Sequence, residues 1–177
     1  LITYHPLTIP IKESSEFEIC QLIDSLSKFK DTLQIFTMPN ADPGNISIFN
    51  TIYDYVEGSE NVYAFQSLGQ LRYLSCLAYI DAVIGNSSSG ILEVPSFKKG
   101  TINIGDRQKG RLFAESVISC SNKSFDIEEA IKKIYTYDFQ LILKETTNPY
   151  GEGGASKKIR KIIEEINFEK LQRKPFF

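Results

Sequence analysis

Three consecutive serines, Ser87, Ser88 and Ser89, lie between two glycines in the segment VIGNSSSGILEV, residues 83–94. The apolar run before the first glycine is typical of a buried strand, and helical spacing follows the second. Backbone N–H groups at such a strand-to-helix crossing can bind a phosphate, aided by the serine hydroxyls. A simple serine N-cap is the other interpretation, with Ser89 as the expected cap, but one cap leaves two hydroxyls unexplained. No GxxxxGK[ST] motif is present, which excludes a P-loop.

Two further residues could do chemistry beside these serines. Glu93 lies shortly after them in the predicted helix. A carboxylate repels phosphate, so a functional Glu93 should face a pair of ribose hydroxyls; otherwise it is a favourable partner of the helix dipole. His5, the only histidine of the chain, ends an apolar stretch beside Pro6. It is either a structural hydrogen-bonding group or a catalyst at a ligand-binding edge.

Two loops carry a weaker signal. The segment GDRQKGR, residues 105–111, places Arg107, Lys109 and Arg111 around glycines. It is either a solvated surface loop or, through a guanidinium near a strand end, a second clamp for a diphosphate. The segment NPYGEGGA, residues 148–155, is either an anion-receiving loop or a turn that starts a helix.

These residues need a scaffold, and the alternation of strand and helix patterns predicts an α/β fold. We expect a Rossmann-like parallel sheet with helices on both faces. In such sheets the ligand lies beyond the carboxyl ends of the strands, where His5, Asn40 and the serine segment all fall. Strands are predicted at residues 1–5, 32–38, 61–67, 81–85, 100–105 and 115–120, and helices at 16–30, 45–57, 69–80, 88–96, 126–136 and 155–167.

Length and composition add bounds. The chain has 177 residues, 42% hydrophobic and 24% charged, with a net charge of −2. These values predict one globular domain and suggest no nucleic-acid or membrane partner. Three widely spaced cysteines fit neither a disulfide framework nor a metal clip, so we expect a reducing, cytoplasmic setting. We also expect no metal and no cofactor. The start, without Met and in an apolar strand-like stretch, suggests a fragment of a longer protein.

Together, five segments resemble the C-terminal half of the hydrolysing UDP-N-acetylglucosamine 2-epimerases, enzymes of sialic-acid-type sugar biosynthesis. The resemblance runs in order from residue 3 to about residue 160. It implies that residues 1–177 are the UDP-binding domain of a two-domain GT-B enzyme whose N-terminal domain is absent. The segments are TYHP (3–6), PNADPG (39–44), IGNSSSGILEVPSF (84–97), TINIGDRQKGR (101–111) and NPYGEGGASKKI (148–159).

The resemblance also implies roles for individual residues. Ser87 and Ser88 would bind the diphosphate and Glu93 the ribose, in agreement with the interpretation above. His5 matches the active-site histidine of this half of the family. The positions that match UDP-binding residues of the family are Asn40, Ser67, Ser87, Ser88, Glu93 and Arg107.

The implied reaction is elimination of UDP from a UDP-2-acetamido sugar, followed by hydration of the resulting 2-acetamidoglycal. The products are a free N-acetylmannosamine-type sugar and UDP. The family's catalytic carboxylates lie in the N-terminal domain, so the isolated chain should bind UDP weakly and not turn over. The substrate could be UDP-N-acetylglucosamine or a relative such as UDP-diacetylbacillosamine, and relatives suggest a homodimer of the parent protein.

Two other functions remain open at this point. A GT-B glycosyltransferase would share the fold and the nucleotide site but would transfer the sugar to an acceptor. A stand-alone nucleotide-binding module would not be an enzyme at all. The combination of IGNSSSGILEV with NIGDRQKGR favours the epimerase over the glycosyltransferase.

Overall fold

The computed structural model describes residues 1–6, 14–40 and 45–166. Within these residues six parallel strands form one sheet in the order β3-β2-β1-β4-β5-β6. This is the strand order of the doubly wound Rossmann fold, so the predicted fold class is confirmed. The strands are β1 (Ile2–Thr3), β2 (Gln34–Thr37), β3 (Val62–Phe65), β4 (Ala82–Gly85), β5 (Gly100–Ile104) and β6 (Val117–Cys120).

Helices cover both faces of the sheet, as the apolar patterns require. On one face a large cluster of buried side chains joins the sheet to α1, α2 and α5. On the other face Leu77 and Val94 pack with Leu1 and Val83 in a smaller cluster. The helices are α1 (Ser15–Leu26), α2 (Asn45–Glu57), α3 (Gly69–Tyr79), α4 (Ser89–Leu92), α5 (Ser124–Ile134), α6 (Tyr137–Glu145) and α7 (Ala155–Glu165).

Strand β1 lies at the centre of the sheet although it is only two residues long. Ile2 pairs with Phe36 of β2 and with Ile84 of β4, and Thr3 pairs with Thr37 and Gly85. Successive crossovers reverse direction here, because the chain runs outward from β1 to β3 and returns to β4 on the other side. The carboxyl ends of β1 and β4 therefore flank the crevice where ligands of doubly wound sheets bind.

The prediction of one continuous helix at 88–96 is wrong. Helix α4 ends at Leu92, and a separate 3₁₀ helix follows at Val94–Phe97. Pro95 lacks a backbone N–H and its ring would clash with the carbonyl of Ile91, so an α-helix cannot continue through it. Four helical residues have little macrodipole, which weakens the dipole argument made for this segment.

Helix α6 was not predicted, although Thr136 caps it by accepting a hydrogen bond from the Phe139 N–H. Aromatic and β-branched residues in and around α6 obscured the helical period of its apolar residues. The PNADPG segment beyond Asn40, from residue 41 to 44, and residue 167 of the last predicted helix lie outside the described residues.

Helix α7 differs from the others because it has no buried residue. Ile159, Ile162 and Ile163 are 55%, 58% and 54% exposed on one side of it. In the described ranges, no helix is long and apolar enough to cross a membrane.

Candidate functional site

The crevice between β1 and β4 is built around Asn86, the residue after β4, which is only 1% exposed. Its backbone N–H donates to the Thr3 carbonyl at 3.3 Å. Its side-chain amide makes two further bonds to residue 5: Oδ1 accepts from the His5 N–H and Nδ2 donates to the His5 carbonyl, both at 2.8 Å. One buried side chain therefore joins the ends of both central strands.

The glycine before Asn86 makes this approach possible. Gly85 has a φ of +138°, and a Cβ there would lie 2.0 Å from the carbonyl oxygen of Thr3. Such a φ is almost restricted to glycine. The second glycine of the segment, Gly90, lies against Thr101, whose hydroxyl donates to the Gly90 carbonyl at 2.6 Å. Both glycines serve close packing, and the serines between them are held at the crevice.

His5 and Asn40 lie together on the β2 side of this crevice. The Asn40 N–H donates to Nδ1 of His5 at 3.4 Å. A ring nitrogen that accepts a hydrogen bond carries no proton, so in the neutral imidazole Nε2 is the protonated atom. The contact thus favours the tautomer of His5 with the proton on Nε2 and joins the ring to the residues that follow β2.

The hydrogen bonds of the three serines differ from those expected of an N-cap at Ser89. The Ser87 hydroxyl accepts from the Ser89 N–H at 3.4 Å, and Ser88 occupies the N-cap position without a side-chain cap bond. The Ser89 hydroxyl pairs with the Tyr73 hydroxyl, so Ser89 is not the cap. In the described part of the chain, the backbone N–H groups of Ser87 and Ser88 donate to no acceptor. Two donors are available to an anion at this turn.

Ser67, Ser87 and Glu93 line one cleft of about 370 Å³, which reaches from the serine turn to the β3–α3 loop. Ser67 is exposed, and its hydroxyl accepts from the Gly69 N–H at 3.1 Å. Tyr73 forms one wall. Burial raises the pKa of the Tyr73 hydroxyl, the hydrogen bond with Ser89 opposes that rise, and the Glu93 carboxylate adds to it. Tyr73 is therefore a neutral hydrogen-bonding group at physiological pH.

Only one of the three basic residues of the β5 loop reaches the serine turn. An Nη of Arg107 donates to the carbonyl of Asn86 at 3.1 Å. Lys109 pairs instead with Asp106 at 3.7 Å in solvent. Lys109 and Arg111 line a different depression, near the ends of β5 and β6. The structure therefore distinguishes a crevice arginine from two outlying cations.

The NPYGEGGA segment forms a turn followed by helix α7. Nδ2 of Asn148 donates to the Leu92 carbonyl at 2.8 Å and to the Ser96 hydroxyl at 2.7 Å. Its Oδ1 accepts from the Tyr150 N–H at 2.9 Å. These bonds tie the loop to the residues on either side of Glu93, at the join between α4 and the 3₁₀ helix.

Three residues that build this site were not predicted from the sequence. Asn86 lies within the serine motif, and Tyr73 has the spacing of an ordinary helical residue. Gln108 is 2% exposed and donates from Nε2 to the Asn86 carbonyl at 2.7 Å. Because Gln108 lies between Arg107 and Lys109 in the sequence, no pattern indicated that its side chain is buried. The available signal was Asn86 itself, since an amide directly after a buried strand requires partners.

The strand order and the crevice at its reversal place this protein in the class of Rossmann-like domains. A family model described as UDP-N-acetylglucosamine 2-epimerase matches residues 1–164. The chain belongs to that family.

Named relatives agree with this assignment. A protein of Campylobacter jejuni, GDP/UDP-N,N'-diacetylbacillosamine 2-epimerase (hydrolyzing), is 39% identical over 99% of this chain and 46% of its own length. The polysialic acid biosynthesis protein P7 of Escherichia coli is 34% identical over 94% of this chain and 42% of its own length. The chain thus spans about half the length of these curated relatives.

Solved structures share the fold. The MnaA–UDP co-structure from S. aureus superposes with a TM-score of 0.74 at 16% identity, over 98% of this chain and 46% of that one. UDP-GlcNAc 2-epimerase from Neisseria meningitidis, bound to UDP-GlcNAc, gives 0.65 at 17% identity, over 93% and 44%. The expected GT-B type of architecture is the one these structures have.

Proposed function

We propose that residues 1–177 form the UDP-binding domain of a hydrolysing 2-epimerase acting on a UDP-2-acetamido sugar. The observation that carries the proposal is the junction at Asn86, because it brings His5, the free N–H groups of the serine turn and Arg107 to one crevice. Family membership supplies the reaction class. The N-terminal domain of the parent protein would supply the rest of the active site.

In this proposal the diphosphate binds at the serine turn. The N–H groups of Ser87 and Ser88 and their hydroxyls donate to phosphate oxygens, and Arg107 lies close enough to turn its guanidinium toward them. Donors placed where negative charge develops lower the barrier to departure of the leaving group. Asn40 lies beside His5 on the β2 side of the crevice. In this proposal His5 takes part in catalysis.

The nucleoside would extend along the cleft lined by Ser67 and Glu93. The carboxylate of Glu93 accepts from the ribose hydroxyls, a pairing that a phosphate would not tolerate. Ser67 lies at the far end, where it is exposed on the β3–α3 loop and available to the base. The cleft thereby separates an anion-binding end from a hydroxyl-binding end.

The proposed chemistry has two steps. A base removes the C2 proton while the C1–oxygen bond breaks, and the electron pair of that bond leaves with UDP to give a 2-acetamidoglycal. Water then adds across the C1–C2 double bond: its oxygen bonds to C1 and gives up a proton, while C2 gains a proton on the face opposite to the one deprotonated. The product is the free mannosamine-type sugar. The base would be a carboxylate of the other domain, so this chain alone should not catalyse the first step.

The test compares the 177-residue chain with the full-length parent. Calorimetry should detect UDP binding by the chain, while incubation with UDP-N-acetylglucosamine or UDP-diacetylbacillosamine should release no UDP above background. The parent should release UDP and a free 2-epimeric sugar from one of these donors without an acceptor. Turnover by the isolated chain would contradict the proposal that the other domain supplies the base. A parent protein that needs an acceptor sugar would indicate a glycosyltransferase.

A further inference from the structure

We propose that Asn86 is a positioning residue that sets where His5 lies relative to the bound diphosphate. The inference rests on the proposed function and extends it to a residue outside the set expected to bind UDP. Asn86 joins the two sides of the crevice: its side chain holds the end of β1, and its main chain begins the serine turn after β4. Movement of one side relative to the other would have to lengthen or break these hydrogen bonds.

The contact with His5 is made to main-chain atoms alone. Both ends of the Asn86 amide are used, one as acceptor and one as donor, each at 2.8 Å. A planar amide with two such bonds fixes both the distance and the orientation of the His5 backbone. These two hydrogen bonds are partly shielded from water, because Asn86 is only 1% exposed, so they hold the backbone from which the imidazole extends.

The carbonyl of Asn86 carries the second half of the argument. It accepts from Arg107 at 3.1 Å and from the buried amide of Gln108 at 2.7 Å. Because the peptide bond is planar and trans, a carbonyl held in place also fixes the direction of the Ser87 N–H. Asn86 therefore couples the donor proposed for the diphosphate to the histidine through one residue.

The buried amide of Gln108, which holds the Asn86 carbonyl, is unfavourable for stability unless it has such a role. Asn86 and Gln108 are 1% and 2% exposed, and Oε1 of Gln108 has no partner among the described residues. Burying an unpaired acceptor is unfavourable, so Gln108 makes this edge less stable than a fully paired side chain would. The arrangement is better explained by precise placement of the crevice than by stability.

The experiment uses the fact that His5 is the only histidine of the chain. Its imidazole gives a single set of signals in a chain labelled at histidine, so NMR reads the position and tautomer of this ring directly. The variants are Asn86→Ala, and Gln108→Met, which removes one donor to the Asn86 carbonyl while keeping the volume. The control is Asn61→Ala. Asn61 also donates its amide to two main-chain carbonyls, those of Lys30 and Thr32, but before β3 and away from the crevice.

We expect Asn86→Ala to shift and broaden the imidazole signals and to weaken UDP binding by about tenfold in calorimetry. Gln108→Met should weaken UDP binding less, in the same direction. Asn61→Ala should lower the thermal midpoint but leave the imidazole signals and UDP affinity unchanged.

Folded Asn86→Ala with wild-type imidazole signals would overturn the proposal, and so would equal loss of UDP affinity in Asn61→Ala. If Asn86→Ala does not fold, the decision rests on Gln108→Met. Wild-type UDP affinity and wild-type imidazole signals in that variant would overturn the proposal. If the unaltered chain binds no UDP, the proposed function fails, while the imidazole signals still decide whether Asn86 positions His5.

Discussion

At the scale of single residues, the two serines proposed for the diphosphate offer donors of two kinds. The backbone N–H groups of Ser87 and Ser88 are available at the turn, and the hydroxyls add to them. Replacing both with alanine removes only the hydroxyls. We expect Ser87→Ala/Ser88→Ala to keep the fold and to lose at least about tenfold in UDP affinity by calorimetry, since hydrogen bonds to charged groups are worth ~1.5–3 kcal/mol each.

A matched control for the serine pair is Ser119→Ala/Ser121→Ala, which removes two exposed hydroxyls beyond the crevice. That variant should bind UDP like the unaltered chain. Equal affinity in both double variants would show that the hydroxyls do not contact the ligand.

The cysteines differ in reactivity for a physical reason. Burial, with a smaller contribution from the Asp126 carboxylate, raises the pKa of the Cys120 thiol to about 12. The thiolate is the reactive form, so almost none is present near neutral pH. Iodoacetamide at pH 8 should therefore label the exposed Cys20 and leave Cys120 unmodified in the folded chain, as peptide mass spectrometry can check. Rapid labelling of Cys120 before unfolding would contradict its described burial.

At the scale of elements, the β4–α4 connection depends on Gly85. A methyl group there would meet the Thr3 carbonyl at 2.0 Å, at a φ that other residues rarely adopt. We expect Gly85→Ala to lower the free energy of unfolding by more than about 3 kcal/mol, because backbone must move in the centre of the sheet. Urea unfolding measures the change.

Gly58→Ala is the control for that substitution. Gly58 lies just after α2, its φ is not positive, and an added Cβ would make only ordinary contacts at 3.6 Å. This variant should be within about 0.5 kcal/mol of the unaltered chain. Similar stability for both glycine variants would contradict the close approach of β4 to β1 at Gly85.

Helices α5 and α7 show why amphipathic pattern alone does not measure burial. Ile127 of α5 is fully buried, whereas Ile162 of α7 is 58% exposed. Ile127→Ala should lower the free energy of unfolding by about 2–5 kcal/mol, through lost burial and a cavity. Ile162→Ala should change it by less than about 0.5 kcal/mol. Urea unfolding of the two variants tests the contrast.

The sequence predicted what depends on local pattern and composition. Each of the six strands follows from a short apolar run, and the alternation with helices required a parallel sheet. Pro95, which divides the predicted helix, and Thr136, which caps α6, were local signals that the apolar period outweighed. At the site, motif positions could be named, but the partners of Asn86 could not. They come from residues 81 positions earlier and 22 positions later, and no local pattern reports such contacts.

At the scale of the whole molecule, UDP should stabilise the chain, because the proposed site exists only when β1 and β4 are paired. At a UDP concentration of 100 times Kd, the gain is about 2.7 kcal/mol. For a chain of this size we expect a rise in thermal midpoint of about 5–10 °C. Differential scanning fluorimetry with UDP, and with uridine as the control lacking phosphate, measures it. An equal shift with uridine would argue against a diphosphate site at the serine turn.

The two-residue strand β1 also has a consequence for how the chain folds. It separates β2 and β3 from β4, β5 and β6, and the bonds of His5, just after it, to Asn86 span 81 residues. Closing so long a loop is entropically unfavourable, and contacts of this separation form late. The pair β2–β3 and the three strands β4–β5–β6 can each assemble from nearer neighbours first. The docking of Ile2 and Thr3 between them would then be the slow step, and the crevice would be completed only as folding ends.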